Sequence, residues 1–195
     1  MMSEFKRSWE EIEAWLQRHA PASFACLKSG ASEAELADFE ALLGFPLPEP
    51  LRWLWMRHDG VESAELPCSE ADPTLFLPDF DGLLSVEAAT GLHEFLHPHN
   101  ILRSWIPFTA FSPDDPFCGA FLDAETGLIG GWQTEDVAEI NGTRSIDAYF
   151  AEIAVSLRHG LPFGEQLPGV ADGCLSWEHP GDVQTEGWEP WRPQF

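Results

Sequence analysis

The segment His93-Glu94-Phe95-Leu96-His97 carries the sharpest chemical pattern in this chain. Two histidines one helical turn apart can grip one metal ion, and the glutamate between them can act as a general base. A zinc hydrolase built this way needs a long helix and a further ligand beyond it. Here Pro98 stops the helix at once, and Thr90 and Gly91 weaken the turns before it. His99 follows too closely to serve as the third ligand. The expectation is surface histidines, with no metal, no cofactor and no catalytic residue.

The other reactive groups form no centre either. Cys26, Cys68, Cys118 and Cys174 are scattered, without a Cys-x-x-Cys pair or a dense disulfide pattern. Cys118 has no basic neighbour in sequence to activate its thiol. The stretch Gly127-Leu128-Ile129-Gly130-Gly131 lacks the lysine of a phosphate-binding loop, and no Gly-x-Ser-x-Gly elbow occurs. Carboxylates are abundant: 33 Asp and Glu face 10 Lys and Arg, for a net charge of -23. Among so many acids no catalytic pair can be singled out. What they can do is dock lysines and arginines, and repel nucleic acid and anionic membrane. Between residues 59 and 141 the single basic residue is Arg103. The contacts expected for a basic partner are Asp79, Asp81, Asp114, Asp115, Glu135 and Asp136, all in or beside predicted loops.

These groups need elements to position them. With 195 residues, 44% hydrophobic and 12% aromatic, the chain can build a folded core. Ser8 and Glu11 have capping-box spacing, followed by Trp9, Ile12, Trp15 and Leu16 at helical period, and Pro21 closes that segment. Ser32 and Glu35 repeat the box before Leu36, Phe39, Leu42 and Leu43, with Gly44 as terminator. Pro50 opens a third helix carrying Leu51, Leu54 and Trp55, and Asp59-Gly60 turns the chain. Strands are expected at 74–77, 105–111, 117–122, 128–132 and 137–140, with a helix over 85–96. Residues 117–132 form a hairpin around Asp123-Ala124-Glu125-Thr126-Gly127, and Gly130-Gly131 suggests a bulge or a close backbone approach. Ser145 caps a last helix with Ile146, Tyr149, Phe150, Ile153 and Leu157 on its apolar stripe, ended by Gly160. This order indicates an α+β fold, a largely antiparallel sheet with helices packed on one face. One domain over 1–160 precedes an acidic Pro-, Gly- and Trp-rich extension, 161–195, whose Trp177, Trp188 and Trp191 suit it to lie against the domain.

Several short words recur in a telling order. Trp9 with Ile12-Glu13 comes first, then Gly30-Ala31-Ser32 with Glu33, Leu36 and Glu40. Leu43-Gly44 with Leu47-Pro48, then His58-Asp59-Gly60, Trp105-Ile106-Pro107-Phe108, Phe121-Leu122-Asp123 and Gly130 follow. This ordered set resembles the SUKH superfamily, the fold of fungal Smi/Knr cell-wall regulators and of many bacterial toxin-immunity proteins. The resemblance spans about 8–160; the segment 112–119 departs from the pattern, and the tail from Leu161 has no counterpart in it. It implies a protein-binding module rather than an enzyme. One form is an immunity protein that occludes a cognate basic toxin domain; the other is a housekeeping regulator or scaffold of the Smi/Knr type. No apolar run is long enough to span a bilayer, and 1–7 lack a signal-peptide core, so a reduced, soluble, cytoplasmic protein is expected. The sequence leaves the partner's identity and the oligomeric state open.

Overall fold

Apolar residues at helical spacing build the first element, where Phe5, Trp9, Ile12, Trp15 and Leu16 form one buried stripe. The computed structural model describes residues 4–62, 71–111, 117–134 and 144–193. Its helices are α1 (Glu4–His19), α2 (Pro21–Ala25), α3 (Glu33–Leu43), α4 (Glu49–Arg57), α5 (Val86–Leu96) and α6 (Ile146–His159). Its strands are β1 (Asp81–Leu83), β2 (Trp105–Pro107), β3 (Thr109–Phe111), β4 (Cys118–Asp123), β5 (Ile129–Gln133), β6 (Leu167–Ala171), β7 (Cys174–Glu178) and β8 (Glu189–Pro190). The fold is α+β, and the strands form three small sheets ordered β1-β3, β2-β4-β5 and β7-β6-β8. Among the described residues no helix is long and apolar enough to cross a membrane. The expected strand at 137–140 lies outside the described residues.

Contacts group the chain into two units that alternate along the sequence: Met1–Cys26, Glu62–Asp81 and Asp147–Phe195 in one, Leu27–Val61 and Gly82–Ile146 in the other. In the first unit α1 begins four residues before the expected cap. The Ser8 hydroxyl lies inside the helix and donates to the Glu4 carbonyl at 3.0 Å, so it caps nothing. Pro21 ends α1 by starting the short helix α2, where its missing N–H costs nothing. The core is a relay of rings meeting edge to face or tilted: Phe5 and Trp9 on Phe150, Trp9 on Phe76, Tyr149 on Phe150 and Phe163, and Phe163 on Trp177. Residues 74–77 do not form the expected strand. The Asp72 carboxylate accepts from the Thr74 N–H (2.9 Å) and hydroxyl (2.6 Å), a local turn that spends the donor a strand would need. Beyond α6 the chain builds an antiparallel sheet in which Val170 pairs with both Leu175 and Glu189. Asp172 and Gly173, with φ of 50° and 79°, form its tight β6–β7 turn.

In the second unit the Ser32 and Glu35 side chains cap α3 reciprocally as expected, and Gly44 closes it. Strands β2, β4 and β5 are antiparallel, with Ile106 opposite Leu122 and Leu122 opposite Ile129. The strand expected at 105–111 is interrupted at Phe108: β2 pairs with β4, while β3 pairs with β1. The β4–β5 hairpin forms around the expected turn. Gly130 and Gly131 pair one-to-one with Phe121 and Ala120, so there is no bulge. The close backbone approach falls instead at Gly119, where a Cβ would lie 2.1 Å from the Thr109 carbonyl oxygen.

Candidate functional site

The histidine pattern folds into a packing device. Helix α5 carries His93 inward, 2% exposed, against the sequence expectation of a surface residue. The cause is the apolar face of the helix: Ala89, Leu92 and Leu96 are buried around it. His93 Nε2–H donates to the Arg103 carbonyl at 3.1 Å, and the ring meets Phe39 edge to face. His97 stacks on His93 at 5.6 Å, and its Nδ1 lies 3.3 Å from the Ile101 carbonyl. One nitrogen of each ring therefore faces a backbone carbonyl. Among the described residues no three His, Cys, Asp or Glu side chains are grouped to hold a metal. Desolvation pushes the His93 pKa below its ordinary value, opposed by the hydrogen bond to Arg103.

His58-Asp59-Gly60 is a clasp as well as a turn. Asp59 Oδ1 accepts from the Val86 N–H (2.7 Å), the first residue of α5, and Oδ2 lies 3.6 Å from Lys28 Nζ. The Ser85 hydroxyl accepts from the Ala88 N–H at 3.1 Å, so two side chains from separate segments cap one helix. Gly60 holds φ at 75°, and a Cβ there would stand 2.5 Å from the Ser85 nitrogen. The expected hairpin turn is fixed in a similar way. Asp123, 4% exposed, accepts from the Glu125 N–H (3.1 Å) and the Thr126 hydroxyl (2.6 Å).

Two of the six acids expected to contact a partner lie among the described residues. Asp79 is exposed in the first unit at φ 64°, its N–H donating to Gln166 Oε1 at 3.0 Å. Asp81, also expected as a contact, is 7% exposed in β1. Asp114, Asp115, Glu135 and Asp136 lie outside the described residues. The residues flanking their two segments are brought together, because Cys118 pairs with Gln133 and the Thr134 N–H donates to the Phe117 carbonyl at 2.9 Å. Phe111 and Phe117 pack with ring centroids 5.3 Å apart, and Asn100 Nδ2 donates to the Thr134 carbonyl at 3.1 Å. Both acidic segments thus depart from one end of the β4–β5 ladder. Phe117 is 52% exposed there, an aromatic that sequence reasoning assigned to a strand without naming it as a contact. Its position directly after the sequence Asp114-Asp115-Pro116 was the available signal. Arg103, the single basic residue of 59–141, donates to the Leu42 carbonyl (3.0 Å) and so caps the carboxyl end of α3.

This is an α+β protein with small antiparallel sheets. Residues 30–152 match the SMI1 / KNR4 family (SUKH-1), and the chain belongs to that family. The match covers more than half of the chain and begins at Gly30, so the α1 words Trp9 and Ile12-Glu13 fall outside it. The chain is 32% identical over 62 residues to the F-box protein SKIP16 of Arabidopsis thaliana. It is 37% identical over 60 residues to the glucan synthesis regulatory protein of Neurospora crassa. These stretches are 32% and 31% of this chain, but 14% and 11% of the two relatives.

Proposed function

We propose that this chain is an intracellular protein-binding module that neutralises a cognate basic toxin domain by occluding it. It makes and breaks no bonds. The observation that carries the reading is the end of the β4–β5 ladder, where exposed Phe117 stands between two segments rich in acid. An exposed aromatic anchor in a chain rich in carboxylates suits a surface of lysines and arginines. Asp114, Asp115, Glu135 and Asp136 are the contacts there, and Asp79 is a further one on the first unit. Residues 161–195 are an extension to the family domain. A second reading, a regulator or scaffold of cellular proteins, is supported by the stretch shared with the glucan synthesis regulatory protein.

The test co-expresses the chain with a toxin domain encoded beside its gene. Growth should be rescued, and Asp114→Lys with Asp115→Lys should weaken the complex and flatten its salt dependence. Unchanged affinity and salt slope would remove both residues from the interface. Failure of rescue, with stable capture of a cellular regulator instead, would favour the second reading.

A further inference from the structure

Basic residues are scarce in this chain, yet three arginines line two adjoining hollows of the first unit. Helix α1 ends in Arg18-His19, α6 ends in Arg158-His159, and Arg192 follows β8. Two hollows share His19: one of about 210 Å³ is lined by Trp15, Arg18 and Arg158, and one of about 540 Å³ by Glu189, Trp191 and Arg192. Their floor is aromatic. Trp15 meets Trp191 edge to face at 5.2 Å, and the His19 ring lies 4.3 Å from Trp191. Trp191 is held in place at both ends, its indole N–H donating to the Leu157 carbonyl (2.6 Å) and its backbone N–H to Pro168 (2.8 Å). Arg158 is paired with Glu11. Arg18 and Arg192 are exposed and make no ion pair among the described residues.

An arginine without a carboxylate partner is unexpected where acids outnumber bases by 33 to 10. Its planar fork matches a carboxylate or phosphate, and an adjoining aromatic floor matches a flat ring. The larger hollow has the volume of a small-ligand site, about 300–1,000 Å³. Glu189 on the rim disfavours a second negative group at that side. Every residue named here lies outside 30–152, the part of the chain that the family match covers.

We propose that these adjoining hollows bind a small ligand that joins a flat ring to one anionic group, the anion held at Arg192 with Arg18 beside it and the ring over Trp191 and His19. The probes are adenosine monophosphate, benzoate and inorganic phosphate, titrated into the full chain by calorimetry and tryptophan fluorescence. At least one ring-bearing probe should saturate, and whether the phosphate or the carboxylate binds tighter assigns the anion. Phosphate alone should bind more weakly. Arg192→Ala should weaken binding by about tenfold or more, a change of one decade in Kd, and Arg192→Lys should recover part of it. Both side chains are exposed, so the circular dichroism spectrum of each variant should match the parent. No saturation below about 1 mM, binding indifferent to Arg18→Ala and Arg192→Ala, or phosphate binding as tightly as the ring-bearing probes would each overturn the site.

Discussion

His93 illustrates how one side chain can carry a catalytic-looking pattern and serve packing. Its Nε2–H is spent on the Arg103 carbonyl, while Nδ1 is buried with no hydrogen-bond partner. Protonating the ring would place a charge in a poorly solvated site beside His97 and Arg103, with the Glu94 carboxylate acting the other way. The folded pKa is therefore held below the ordinary value of 6.5. Above that value the ring is neutral in both states, and stability is complete. As pH falls below it, the unfolded chain binds the proton first, so stability drops until the folded pKa is reached. His19, lowered by burial and then by Arg18, acts with the same sign. Urea unfolding at about pH 7.5 and about pH 5.5 should show a smaller loss for His93→Gln, which keeps a donor and does not titrate. Equal losses in parent and variant would show that His93 is not a source of the acid sensitivity.

At the scale of elements, the C-terminal sheet depends on a buried carboxylate. Glu178 is fully buried at the end of β7. It accepts from the Ser176 hydroxyl (3.1 Å), the Gln184 N–H (3.0 Å), the Thr185 N–H (3.1 Å) and the Thr185 hydroxyl, so it ties the 179–185 loop back to its strand. Removing it strands donors that water reaches poorly. Glu178→Ala should cost about 3 kcal/mol or more and Glu178→Gln about 1–2 kcal/mol, measured by urea unfolding, with faster proteolysis in 179–187. Losses below about 0.5 kcal/mol for both would mean that the loop holds without it. Nothing in the sequence reading marked Glu178, because its partners become visible only once the loop has folded. The sheet itself was legible: Asp172-Gly173 between Val170-Ala171 and Cys174-Leu175 is a two-residue hairpin signal, passed over amid the surrounding prolines and glycines. Periodic helices were read correctly over α3, α5 and α6, where local signals and tertiary burial agree. Ser8 and Thr74 misled because their side chains bond locally in ways that spacing alone does not distinguish.

At the scale of the molecule, charge is the property most legible in the sequence and the one with two opposed consequences. A chain of net charge -23 repels itself, and three of its ten bases are committed to ion pairs: Arg52 to Glu33 and Glu40, Lys28 to Asp59, and Arg158 to Glu11. These pairs are partly exposed, and each is worth about 1 kcal/mol or less. Surplus repulsion among the acids acts over a screening length of about 10 Å at 0.1 M salt. Raising sodium chloride from about 20 mM to about 500 mM should therefore stabilise the free chain, lifting Tm by a few degrees, roughly 1 kcal/mol for a protein of this size. The same salt should slow association with a basic partner and weaken the complex. Calorimetric Tm of the free chain and stopped-flow association rates should move in opposite senses along one salt series. A Tm that falls with salt would mean that the few ion pairs outweigh the repulsion, and the acidic surface would then be no reserve of unsatisfied charge waiting for a basic partner.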